Sequence, residues 1–222
     1  DTSLPRAGDW TDYVRGVVAQ YLPSFPQDAT GIDLAIVANL PLGSGLSSSA
    51  SLEVGVATAL EAMFRISLPV KDKALLCQKC EHDYCNTPCG IMDQFIVACG
   101  EAGHALLIDC RPPFRTEQVP LDNPKVALVV ANSNVKHKLS GSEYPERVQQ
   151  CKEAAAAMGV AYLRDASLKQ LEAAASASRL VSRALTPKVV SRARHVITED
   201  QRVLEARDAL RTGNLARVGM LM

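Results

Sequence analysis

The sequence predicts an α+β fold in two parts, and three observations predict it. An apolar run, Ile32 to Leu40, enters a glycine- and serine-rich bend and leaves it as an uninterrupted helical stretch. Strand-like segments then crowd between His104 and Ala131. From Glu143 onward the chain reads helical throughout and is dense in alanine. With 222 residues, 47% of them apolar and 22% charged, there is material for one large globular domain or two small ones.

The formal net charge is zero, which argues against a dedicated nucleic-acid binder, since those carry a basic excess. No apolar run approaches the roughly 20 residues needed to span a bilayer, and no signal peptide is visible. Neither nucleic acid nor membrane is therefore an expected partner. Seven cysteines, an odd number, fit free thiols in a reducing compartment, so a cytoplasmic location is expected. The chain opens on Asp1 without a methionine and closes on the apolar Gly219 to Met222, which reads as the middle of a longer protein.

Taken in order, Asp9 to Leu22 is an amphipathic helix. Trp10, Tyr13, Val14, Val17 and Tyr21 recur at helical spacing, with Trp10 a candidate core anchor, and Pro23 and Pro26 close the helix. The strand Ile32 to Leu40 and the bend follow. The next helix, about Leu46 to Phe64, carries Leu52, Val56, Ala59, Leu60 and Met63 on one face. A further helix runs from about Lys71 to Cys85 until Asn86 to Gly90 breaks it, and a short one spans Ile91 to just before Gly100. Strands are predicted at His104 to Cys110, Arg115 to Pro120 and Lys125 to Ala131. Helices are predicted at Glu143 to Met158, Ser167 to Arg179, Pro187 to Arg211 and from Leu215 to the end. The seam falls near Leu121 to Lys125, giving parts 1–122 and 123–222.

Four cysteines crowd together at 77, 80, 85 and 89. A metal cluster is one reading. Against it, positions 77, 80 and 85 on one continuous helix do not converge, and buried free cysteine packs like a small apolar residue.

The bend Pro41-Leu42-Gly43-Ser44-Gly45-Leu46-Ser47-Ser48-Ser49-Ala50 carries the strongest chemical signal. A helix start offers unpaired N–H groups and the positive end of the dipole. Gly43 and Gly45 admit an anion without a Cβ clash, and three serines add hydroxyls. Together these make a phosphate cradle. A plain serine-capped turn is the alternative. The loop lacks the closing Gly-Lys-Ser/Thr of a Walker A loop. Glu81 and His82 lie near the end of one helix, and Asp93 and Gln94 just inside the next. Asp93 at a helix start is either a first-turn acid that serves only the dipole or a positioned carboxylate. Phosphoryl transfer needs a cradle, a metal on oxygen ligands, and a group that takes or orients the nucleophile's proton. The serine loop, Ser49 with Glu81, and Asp93 can supply these in turn.

Those residues resemble a known family. The bend is similar to the second motif of the GHMP small-molecule kinases. Glu81-His82 followed by Pro88-Cys89-Gly90-Ile91-Met92-Asp93-Gln94-Phe95 resembles the galactokinases within it. So do Asn132-Ser133-Asn134-Val135-Lys136-His137, Ser142-Glu143-Tyr144 and Trp10-Thr11-Asp12-Tyr13-Val14-Arg15-Gly16. The resemblance implies a two-lobe α+β fold, its N-lobe like ribosomal protein S5 domain 2 and its C-lobe ferredoxin-like, incomplete here at both ends. It implies transfer of the γ-phosphoryl group of ATP to the C1 hydroxyl of galactose, the first step of galactose metabolism, by a monomer. Gly43, Ser44, Gly45, Leu46, Ser47, Ser48 and Ser49 would wrap the ATP phosphates, with Trp10 near the adenine. Ser49 and Glu81 would hold Mg²⁺, Asp93 would be the catalytic carboxylate, and Gly90, Asp93 and Tyr144 would touch galactose. A kinase for N-acetylgalactosamine and a non-catalytic galactose and ATP sensor are the alternatives; the intact Ser47 to Ser51 run favours an active site. The family's Gly-Arg-x-Asn-Leu-Ile-Gly-Glu-His-x-Asp-Tyr stretch and its Gly-Gly-Gly-x-Gly-Gly loop are not present, so the stretch in hand is expected to be inactive alone.

Overall fold

In the computed structural model, residues 4–29, 31–124, 126–132, 144–178 and 185–222 are described. The chain divides into two compact units, 1–140 and 141–222.

The first unit is built on four helices. They are α1 (Thr11–Tyr21), α2 (Ser48–Phe64), α3 (Val70–Asp83) and α4 (Met92–Cys99). α1 packs on α2 and α3, and α4 packs on both α2 and α3. Val17, Tyr21, Val54, Val56, Ala57, Leu60, Cys77 and Cys80 form the main core. Tyr21 and Val17 lie one helical turn apart, so one stripe of α1 enters it. The close approach of α1 to α3 depends on Gly16. A Cβ there would sit 2.3 Å from the Cys80 Sγ. Polar ties cross the same helices: the Tyr21 hydroxyl donates to Glu61 at 2.6 Å, and Glu61 pairs with Lys73 at 2.7 Å. The buried Asp12 carboxylate accepts the backbone N–H groups of Ala7 at 2.6 Å and Gly8 at 2.8 Å, pinning the segment before α1.

A second small core joins Ala74, Ile91 and Phe95, with the Phe95 and Phe114 rings 5.8 Å apart. Phe114 lies in the connection between β1 (His104–Ile108) and β2 (Thr116–Pro120), an antiparallel pair in register from His104 opposite Pro120 to Ile108 opposite Thr116. This hairpin is the sheet found among the described residues.

Two sequence expectations are corrected here. Ile32 to Leu40 and the described part of Lys125 to Ala131 are extended but belong to no strand; Lys125 itself lies outside the described residues. Most of their side chains face outward, with Val37 97% and Val129 89% exposed, while Ile32 packs against the main core. The reason is pairing. A strand completes its hydrogen bonds only on a neighbour, and no described segment pairs with either one as a strand.

The second unit is helical where described: α5 (Tyr144–Met158), α6 (Leu168–Ser178), α7 (Pro187–Arg211) and α8 (Leu215–Leu221). Ala154, Ala155, Leu163, Leu171, Val189, Ala193 and Ile197 form its core. Small alanines on α5 and α7 let those helices pack closely. Thr186 caps α7 by accepting from Val189 N–H, and Pro187 occupies its first turn, as the sequence predicts. No helix among the described residues is long and apolar enough to cross a membrane.

Candidate active site

The bend before α2 is open. Pro41, Leu42, Gly43, Gly45 and Leu46 are exposed, and Ser44 is half-buried with its hydroxyl donating to the Pro41 carbonyl at 2.7 Å. Gly43 and Gly45 have φ of +69° and +76°, and a Cβ at either would meet nothing within 4 Å. Glycine is needed there for backbone shape. Ser47, the residue before α2, is also left-handed (φ 56°, ψ 38°), and its side chain makes no capping hydrogen bond. The plain reading of these serines as caps therefore fails at Ser47. The first N–H groups of α2 face the bend with the dipole's positive end behind them.

Ser49, half-buried in the first turn of α2, lies close enough to the Glu81 carboxyl near the end of α3 for its hydroxyl to favour the charged form. These two candidate metal ligands come near each other although 32 residues separate them in sequence (81 minus 49). Asp93, half-buried in the first turn of α4, lies close enough for its charge to act on Glu81. Burial is the main influence that pushes the Glu81 carboxyl above its ordinary range. Ser49 and the Cys89 thiol oppose it by hydrogen bonding, and Asp93 adds to it.

The turn that carries Asp93 to this place is built from local chemistry. α3 stops at Asp83, and Asn86 takes the left-handed conformation (φ 56°) that Asn tolerates. The Cys89 carbonyl then accepts from Gln78 Nε2 at 3.2 Å and pairs with His82 Nε2 at 2.9 Å. The Thr87 N–H returns to the Glu81 carbonyl at 3.0 Å. Gly90 is exposed at the end of this turn, directly before Ile91 and α4.

Behind Glu81 lies a buried polar pair: Gln94, which the sequence placed beside Asp93, and Glu53, which the sequence reading did not single out. Gln94, fully buried, donates through Nε2 to Glu81 Oε1 and to Glu53 Oε2, both at 3.3 Å. Glu53 is fully buried on α2. Burial first, and the charge of Glu81 second, push its carboxyl up to about 9, so it is protonated at neutral pH. The signal was available. Ala50, Glu53, Ala57 and Leu60 fall on one helical stripe, and a glutamate there is an acid at a core position. The predicted face is rotated from this one: Val56 and Leu60 are buried, but Met63 is 53% exposed.

Trp10 precedes α1 and is 62% exposed, so it is no core anchor; the inward stripe of α1 is Asp12, Gly16, Val17 and Tyr21. Tyr144 begins α5 in the second unit. There it lines a cavity of about 370 Å³ with Arg147, Cys151, Tyr162, Arg192 and His195. The predicted turn residues Ser133 and Asn134, with Val135, Lys136, His137, Ser142 and Glu143, lie outside the described residues.

Residues 12–101 match the family model described as GHMP kinases N terminal domain. The chain is 46% identical to human galactokinase over 98% of its own length and 53% of the relative's. It is 47% identical to the galactokinase of Pasteurella multocida over 96% of its own length and 54% of that protein. A crystal structure of Lactococcus lactis galactokinase complexed with galactose superposes with a TM-score of 0.78 at 28% identity, covering 99% of this chain and 56% of that one. The chain thus spans about half the length of the curated relatives it matches. The GHMP kinase fold, with its helices and small sheet, is the one the motifs implied.

Proposed function

We propose that this chain carries the phosphate loop, metal ligands and catalytic carboxylate of a galactokinase, which moves the γ-phosphoryl group of ATP to the C1 hydroxyl of galactose. One observation carries the reading: Ser49 after an open glycine bend, Glu81 from α3 and Asp93 from α4 are gathered by the packing of three helices. The galactokinase relatives, including one whose structure holds galactose, supply the substrate class.

The loop from Gly43 to Ser49 presents N–H groups and hydroxyls to the phosphates of ATP. Ser49 and Glu81 offer a hydroxyl and a carboxylate, the hard oxygen donors that suit Mg²⁺, and Asp93 lies close enough for its charge to act on the same carboxyl. Bound there, Mg²⁺ supplies the positive charge that offsets negative charge on the transferring phosphoryl oxygens. Asp93 accepts or orients the proton of the sugar's C1 hydroxyl, which attacks the γ-phosphorus while ADP leaves. Gly90 and Tyr144 are assigned to galactose and Trp10 to the adenine, on the motif resemblance. Residues 1–122 are assigned to the N-terminal lobe and 123–222 to the start of the second. A cytoplasmic monomer fits the seven unbridged cysteines.

The test is ADP release by the protein carrying this chain, with galactose and N-acetylgalactosamine compared side by side. Asp93→Asn is expected to lower kcat by at least about 100-fold with little change in KM for ATP. Undiminished turnover removes Asp93 from the chemistry, and preference for the N-acetylated sugar overturns the substrate assignment.

A further inference from the structure

The helix expected to run through Cys85 ends at Asp83, and that changes what the cysteines can do. On one helix, Cys80 and Cys85 would point about 140° apart at 100° per residue, so no ion could take both. Past the helix end, Cys85 turns back. The Cys80 Sγ, the Cys85 Sγ and a Glu53 carboxylate oxygen all lie within 4.8 Å of one another. We propose that these three side chains form a site for a thiophilic divalent cation, Zn²⁺ by chemical class, separate from the oxygen pair Ser49 and Glu81.

Three features support it. The first is the donor set. Two sulfurs and a carboxylate select a borderline-soft ion over Mg²⁺. Ligand atoms around tetrahedral Zn²⁺ sit roughly 3.3–3.8 Å apart, so these three need close by only about 1 Å. Cys85 is half-buried in a turn and is the ligand free to make that move. The second is fixed placement. Cys80 is fully buried with its sulfur lodged against Gly16, which leaves no room for it to swing away. The third is independent of the sulfurs. Glu53 Oε1 and Gln94 Oε1 are buried oxygens without a hydrogen-bond partner among the described residues, and such groups are costly unless something pairs with them. A cation at the three-ligand point takes a Glu53 carboxylate oxygen directly, and a water molecule can complete the fourth position. On binding, each thiol and the Glu53 carboxyl give their protons to solvent, and the sulfurs and the carboxylate oxygen keep the electron pairs they donate to the metal.

The experiment is titration of the reduced chain with Cd²⁺, followed by the ultraviolet thiolate-to-cadmium charge-transfer band, with Zn²⁺ as competitor. One Cd²⁺ per chain, displaced by Zn²⁺ and shielding the Cys85 thiol from a thiol reagent, is the expected result. Cys80→Ala and Cys85→Ala should each abolish the band. Cys99→Ala and Cys151→Ala should leave it unchanged, and Glu53→Gln should weaken binding at least about tenfold. Cys85 lies outside the core, so its variant reports even if Cys80→Ala fails to fold. No band in the parent chain, a band that survives Cys85→Ala, or a Cys80–Cys85 disulfide that persists under reductant overturns the site. None of these outcomes depends on kinase activity.

Discussion

Two mostly apolar regions of the first unit have opposite fates. α2 buries Ala57 and Leu60 completely, whereas Ile32 to Leu40, which leads into the same bend, leaves Val37 almost wholly in solvent. The difference is where each gets its hydrogen bonds. A helix closes its N–H and C=O pairs within itself, so α2 needs only apolar neighbours, and α1, α3 and α4 provide them. An extended segment needs another strand, and among the described residues neither Ile32 to Leu40 nor 126–131 has one. Hydrophobicity sets a preference for burial; pairing decides whether a strand exists.

Amide hydrogen exchange should show the largest contrast. N–H groups of the last turns of α2 and of α3 are expected to exchange at least about a thousandfold more slowly than those of residues 33–39. Equal rates would mean that the helical core opens as readily as the unpaired segment. Truncation sharpens the same comparison. Leu60→Ala should cost about 2–5 kcal/mol in denaturant unfolding, and Val37→Ala no more than about 0.5 kcal/mol. A large cost at Val37 would show that the segment is packed after all.

A smaller effect separates the buried acid from the rest of the core. The folded-state pKa of Glu53 is raised to about 9, so the folded chain keeps a proton that the unfolded chain releases near pH 4.5. Stability from this group is therefore full below about pH 4.5, falls as pH rises to about 9, and then levels off. Glu53→Gln should flatten that slope. An unchanged slope between pH 6 and 9, read from urea midpoints at about one-unit steps, would place the titration elsewhere.

Much of this was legible in the sequence. The helix ends of α4 and α7 fall where Gly100, Pro187 and the Gly213-Asn214 restart place them, because glycine, proline and caps act locally. The hairpin from His104 to Pro120 was legible for the same reason. Ser49, Glu81 and Asp93 could be named from chemistry and motif, but only packing of α2, α3 and α4 reveals which of them touch. Glu53 was missed because an acid inside an apolar helix looks like a solvent-facing residue until the stripe is fixed. Cys85 was misplaced by two residues of helix, enough to hide its approach to Cys80. The two segments were read as strands because a short apolar run reports a preference for burial and carries no information about a partner.

The central claim is that Ser49, Glu81 and Asp93 form one phosphate- and metal-binding group. Calorimetric titration of the protein carrying this chain with ATP, with and without Mg²⁺, tests it most directly. The account predicts nucleotide binding that Mg²⁺ strengthens, with that gain cut at least about tenfold by Glu81→Gln and by Ser49→Ala. Binding that ignores Mg²⁺, or a Mg²⁺ gain that both substitutions leave intact, would contradict it.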